Sequence, residues 1–123
     1  VATTTSTLVR PPRVRLSRAR GWRMPAGTIK VDRTTRWGNP FDYRQLGRVE
    51  AIRRYIAWIN GEGPDERPGG RRVGMVSRAW VLGHLPVLAG HPLACWCPPS
   101  TPGGPPICHA DVLLDLANPG GGP

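Results

Sequence analysis

Between positions 48 and 60 the chain reads RVEAIRRYIAWIN, with Val49, Ile52, Ile56 and Ile59 at helical spacing and Arg48, Glu50, Arg53 and Arg54 mostly elsewhere on the wheel, which predicts an amphipathic helix. A second helical pattern, SRAWVLGHLPVLAG, opens on Ser77, a hydroxyl suited to capping a first turn, and puts Trp80, Val81, Leu85 and Leu88 on one face. Gly83 and Pro86 predict that this helix is short or kinked. A third, CHADVLLDLAN, runs through Val112, Leu113 and Leu116 and stops at Asn118-Pro119-Gly120. Two segments alternate instead: RVRLSR turns Val14 and Leu16 to one side, and TIKVDR does the same with Ile29 and Val31. The turn residues of GWRMPAG between them predict an antiparallel hairpin with a long loop. HPLACWC, a short apolar run after a glycine, suits a central strand, and NGEGPDERPGGRRVG reads as an exposed loop.

The Thr-rich start ending in Pro-Pro predicts a disordered arm over residues 1–12, and PGGGP a disordered tail over 119–123, which leaves a single domain over 13–118. The order strand, strand, helix, helix, strand, helix implies an α/β or α+β fold, a small mixed sheet of three or four strands covered by two or three helices.

Charge changes this picture in one place. Residues 1–36 hold nine Lys and Arg against the single acid Asp32, so +8 of the chain's formal +9 lies in its first third. Arginine forks suit phosphate, and Arg13, Arg15, Arg18, Arg20 and Arg23 are the candidate contacts to nucleic acid; a solvated arm biased to arginine is the alternative. A lone Lys30 beside sixteen Arg, with sixteen Gly and fifteen Pro, points to GC-rich coding. No apolar run has the length of a membrane span and no leader pattern opens the chain, so a cytoplasmic location without membrane contact is expected. The sequence leaves the oligomeric state open.

All three cysteines fall in LACWCPPSTPGGPPICHADVLLDLAN. An odd number in a reducing compartment favours free thiols or thiolate ligands over a disulfide framework. On a strand, alternation puts Cys95 and Cys97 on one face and Trp96 on the other, while Cys108 and His109 open the following helix, where the first-turn amides and the dipole favour a thiolate. Cys95, Cys97, Cys108 and His109 match the donor set of a tetrahedral zinc site, although the C-x-C spacing is unusual and adjacent helical residues diverge by about 100°. His91 or His84 is the alternative fourth ligand. A metal-free reading makes Cys108 a nucleophile with His109 and Asp111 as acid-base partners, and a third treats the cysteines as buried packing.

The second specified stretch is TTRWGNPFDY. Gly38 and Pro40 predict a fixed turn, from which Asn39 offers a carboxamide, Arg36 a phosphate contact, and Trp37 or Phe41 a stacking surface; an Asx turn among core aromatics is the alternative. RGWRMPAGTIKVDRTTRWGNPF, followed by LACWCPPS and CHADVLLDLAN, resembles a bacterial and phage family, domain of unknown function 4326, from about Arg13 to Asn118. The resemblance implies a small α/β domain of phage or actinobacterial origin. Family members carry a shorter link between CWC and CH, so PPSTPGGPPI is an insertion here, and Asp32 stands where relatives often have Gly. Three readings follow. The chain binds or processes nucleic acid or nucleotides beside the cysteine cluster, or it is a small-molecule enzyme using Cys108, His109 and Asp111, or it is a zinc-stabilised interaction module.

Overall fold

The computed structural model describes residues 11–98 and 107–119. Most of the expected disordered arm and tail, and most of the insertion between Cys97 and Cys108, therefore lie outside the described residues. Three short strands form one sheet: β1 (Arg13–Arg15), β2 (Ile29–Lys30) and β5 (Leu93–Cys95), in the order β1-β5-β2. β5 is central and parallel to both neighbours, with Val14 opposite Ala94, and Ile29 opposite Leu93. The expected β1–β2 hairpin is thus corrected: both segments are strands, but the apolar run of β5 inserts between them. A strand with Leu93 and Ala94 fully buried is the one that belongs in the middle of a sheet.

Among the described residues four helices accompany the sheet: α1 (Tyr43–Leu46), α2 (Arg48–Ile59), α3 (Arg78–Leu88) and α4 (His109–Ala117). α4 packs on β5 and β1 and touches both α2 and α3. Leu113, Leu114, Leu93, Tyr55 and Trp58 meet there in the core. The helical spacing of α2 holds with its face rotated: Ala51, Ile52, Tyr55, Trp58 and Ile59 are buried, whereas Val49 is 78% exposed. Ser77 caps α3 by accepting from the Trp80 amide, and α3 continues through Pro86 in its last turn, where the ring leaves the Leu82 carbonyl without its i+4 amide. Among the described residues, no helix is long and apolar enough to cross a membrane.

The segment expected to be an exposed loop contains an antiparallel hairpin, β3 (Glu66–Pro68) with β4 (Met75–Ser77). Val76 anchors it in the core. At its base Asp65 accepts from the Ser77 hydroxyl and the Ala79 amide, both at 2.8 Å, so a loop carboxylate holds the start of α3. At its tip Gly70 is buried so closely on Arg33 that a Cβ would collide with the Arg33 carbonyl. Gly38 is constrained in the same way: a Cβ there would lie 2.5 Å from the Arg33 Cα and 2.7 Å from the Asp32 carbonyl oxygen. Its φ is not in the left-handed region, so close backbone approach, and not a special backbone conformation, excludes a side chain.

Two comparisons check these contacts. Gly38→Ala should destabilise the domain by about 1–3 kcal/mol through overpacking, whereas Gly83→Ala, mid-helix with open space around it, should stabilise it by up to about 1 kcal/mol. Urea unfolding midpoints should move in opposite directions. The Asp65 carboxyl is held below its ordinary value by the Ser77 hydroxyl and then the Ala79 amide. Its contribution is therefore complete above the unfolded-state pKa and lost as pH falls through the lower folded value. Thermal melts of Asp65→Ala should show a deficit at neutral pH that disappears in acid.

A three-cysteine cluster in the wall of an arginine-lined cavity

β5 and the start of α4 bring the cysteines together. The sulfurs of Cys95, Cys97 and Cys108 lie within 4.8 Å of one another. Cys95 and Cys108 are buried and Cys97 is half-buried. Trp96, between the paired cysteines, donates from Nε1 to Asp32 Oδ2 at 2.9 Å. Asp32 also accepts from the Thr34 amide and hydroxyl, so a buried carboxylate fastens Trp96 and thereby the strand end that carries Cys95 and Cys97.

Arg13 secures the opposite side. Its guanidinium, 3% exposed, donates to the carbonyl oxygens of Cys95 and Cys97, and its Nε lies 3.8 Å from Asp111 Oδ2 on α4. Arg13 is therefore part of the inner wall of the cluster, which corrects its assignment to the exposed phosphate-binding set; Arg15, Arg18, Arg20 and Arg23 are exposed. The Cys108 thiol is drawn down to about 3, first by hydrogen bonds from Cys95 and Cys97, with Arg13 and the Ala110 amide adding to them against the opposing effect of burial. Cys95 and Cys97 move upward as the donors of those bonds.

His109 is buried beside this group. Its Nε2 lies 2.6 Å from the Val31 carbonyl oxygen, an acceptor only, so Nε2 carries the proton and Nδ1 presents a lone pair 3.8 Å from Cys108 Sγ. Burial lowers its pKa and keeps the ring neutral. Both ring nitrogens are accounted for, neither by Asp111, which faces Arg13; the geometry lends no support to a Cys108–His109–Asp111 relay. His91 faces the Gly27 carbonyl and His84 stacks on Trp80, which removes both as alternative fourth ligands. Tyr55, edge-on to His109, has a buried hydroxyl with no hydrogen-bond partner among the described residues.

A cavity of about 520 Å³ joins the cluster to the second motif: Cys95, Cys97 and His109 share its wall with Asn39 and Phe41. The turn contributes unevenly. Asn39 accepts from the Phe41 amide and donates to the Ala51 carbonyl, so its carboxamide fixes the turn and the start of α2, as an Asx turn does. Trp37 is in the core against Trp80, Gly38 is buried, and Arg36 lies over Trp80; none of these three lines the cavity. Five arginines do: Arg18, Arg33, Arg44, Arg48 and Arg71, with Tyr43 and Trp96, against the single acid Asp32. Apart from Arg18, no feature of the sequence groups them, because they come from separate turns, helices and the β3–β4 tip. The three sulfurs could hold a metal ion: tetrahedral Zn–S bonds of about 2.3 Å need sulfurs roughly 3.8 Å apart, and the cluster keeps all three within 4.8 Å of one another.

Arg13→Ala should cost about 1–3 kcal/mol by leaving the buried Cys95 and Cys97 carbonyls without their guanidinium donor, whereas the exposed Arg15→Ala should stay within about 0.5 kcal/mol. Urea denaturation in reductant measures both, and equal effects would show that Arg13 is not a buried clamp.

No curated protein and no solved structure shows significant similarity to the chain. A family model described as Domain of unknown function (DUF4326) matches residues 14–119, which span β1 to α4 and include the cysteine cluster and the cavity-lining turn. The chain belongs to the family of domain of unknown function 4326.

Proposed function

We propose that the chain binds a nucleotide, free or as one unit of a nucleic-acid strand, in the arginine-lined cavity, beside a zinc ion held by Cys95, Cys97 and Cys108. One observation carries this reading: five arginines and three aromatic rings surround the same cavity into which the cysteine cluster opens. Guanidinium forks pair with phosphate oxygens, and Phe41, Tyr43 and Trp96 offer faces to a base. The volume is in the ordinary range for small-ligand sites. Thiolate ligands and free thiols suit a reducing compartment, which favours the cytoplasm.

The strand-bound form of the ligand has its own support. Arg18 lines the cavity and also stands over the Trp96 ring, with the exposed Arg15 beside it and the exposed Arg20, Trp22 and Arg23 following in the chain. A strand leaving the cavity would run along that surface, and each phosphate engaged there adds about 0.7 to the logarithmic salt slope.

Titration calorimetry of the full chain with AMP, a short oligothymidylate and inorganic phosphate tests the proposal. AMP should bind more tightly than phosphate. Arg48→Gln and Arg71→Gln should each weaken AMP by about tenfold, the worth of one charge-assisted pair, while Arg53→Gln, which pairs with Glu50 on the surface of α2, should not. The oligonucleotide should show the steeper salt dependence, reduced by Arg20→Gln. Elemental analysis of protein purified without added metal should give one zinc per chain, lost in Cys97→Ser. Absence of AMP binding, or equal loss in Arg53→Gln, would refute the nucleotide reading. Loss of fold on zinc removal, with no AMP binding to the zinc-loaded protein, would favour a zinc-stabilised module.

A further inference from the structure

We infer that the metal centre takes three ligands from the chain and keeps its fourth position open to the cavity, where an oxygen donor, water or a phosphate oxygen of the bound nucleotide, completes the tetrahedron. The inference rests on the zinc reading of the cysteine cluster and concerns what that reading leaves undecided.

Every side chain that could serve as a fourth protein ligand has a known place. Residues 1–10, 99–106 and 120–123, which lie outside the described residues, contain no Cys, His, Asp or Glu. Among the described ones only the three sulfurs fall within 4.8 Å of one another; no histidine or carboxylate joins them. The nearest histidine, His109, donates from Nε2 to the Val31 carbonyl and holds its Nδ1 lone pair 3.8 Å from Cys108 Sγ, the orientation of a ligating imidazole, but its nitrogens do not come within 4.8 Å of all three sulfurs. Asp111 is drawn to Arg13, and Asp32 is engaged by Trp96 and Thr34.

The open side has a direction. Cys95 and Cys97 line the cavity, whereas Cys108 stands behind them at the start of α4. Three chain ligands plus an exchangeable one is the arrangement of reactive zinc sites, and four chain ligands that of structural ones. Three thiolates around a divalent ion leave one negative charge, so an anionic oxygen reaches that place only with the help of the cavity arginines, which hold an incoming phosphate from the front.

Cobalt(II) replaces zinc as a spectroscopic probe. The cobalt-loaded full chain should show ligand-field bands that shift saturably on addition of azide, and separately on addition of AMP. His109→Gln, which keeps a donor for the Val31 carbonyl, should leave the bands of the unliganded protein unchanged. Removing the metal should weaken AMP binding by about tenfold or more. Bands insensitive to both azide and AMP, or bands altered by His109→Gln in a folded protein, would overturn the inference and make His109 the fourth ligand. Should His109→Gln fail to fold, the azide titration of the unsubstituted chain decides alone. Failure to bind cobalt at all would overturn the zinc reading itself, and with it this inference, whatever the calorimetry shows for AMP.

Discussion

A buried guanidinium is the constraint around which this small domain is arranged. Arg13 has almost no contact with solvent, and an ion of that kind survives inside a protein only if its charge is matched, even though its Nε makes no hydrogen bond among the described residues. The matching groups come from two other elements, the carbonyls of Cys95 and Cys97 at the end of β5 and the carboxylate of Asp111 on α4. Three segments distant in sequence are therefore tied at one point, and the sulfurs are gathered beside it. Asp32 performs the complementary task from the other side through Trp96. One buried cation and one buried anion thus bracket the strand end that presents Cys95 and Cys97.

Much of the architecture is legible in the sequence because its determinants are local. The apolar spacing of α2, the Ser77 cap of α3, the Asn118 stop of α4 and the unbroken apolar run of β5 each specify their element within a few residues. The three cysteines converge as expected, but strand alternation is not the reason: β5 ends at Cys95, and Cys97 reaches the cluster from the bend that follows. Strand partners are not legible: alternation marks Val14 and Ile29 as strand residues, yet which strand lies between them depends on β5, far along the chain. The β3–β4 hairpin leaves no strand signal because glycine, proline and charge dominate its composition, and only Val76 ties it to the core.

The candidate site divides along the same line. Cysteine and histidine are scarce enough here that their pattern is informative, but arginine is so abundant that no pattern singles out Arg33, Arg48 or Arg71. The inward turn of Arg13 is hidden for a related reason. Sequence counts charges without showing which side of a strand they occupy, and a partner such as Asp111 on a distant helix can draw one inward. In the turn, Asn39 and Trp37 specify shape, while Phe41 and neighbouring arginines face the cavity.

Cys97 and Cys108 stand at the two ends of a connection ten residues long. A metal bound to both would act as a clasp on that connection, fixing where it leaves the sheet and where it enters α4. The entropic penalty of closing a flexible loop grows only with the logarithm of its length, about 0.6 kcal/mol for each doubling. A clasp worth far more than that is almost indifferent to how many residues pass between its ends. Such a centre would keep its geometry whatever the length of the chain passing between its two ends, so the connection would be free to change without loosening the ends it joins.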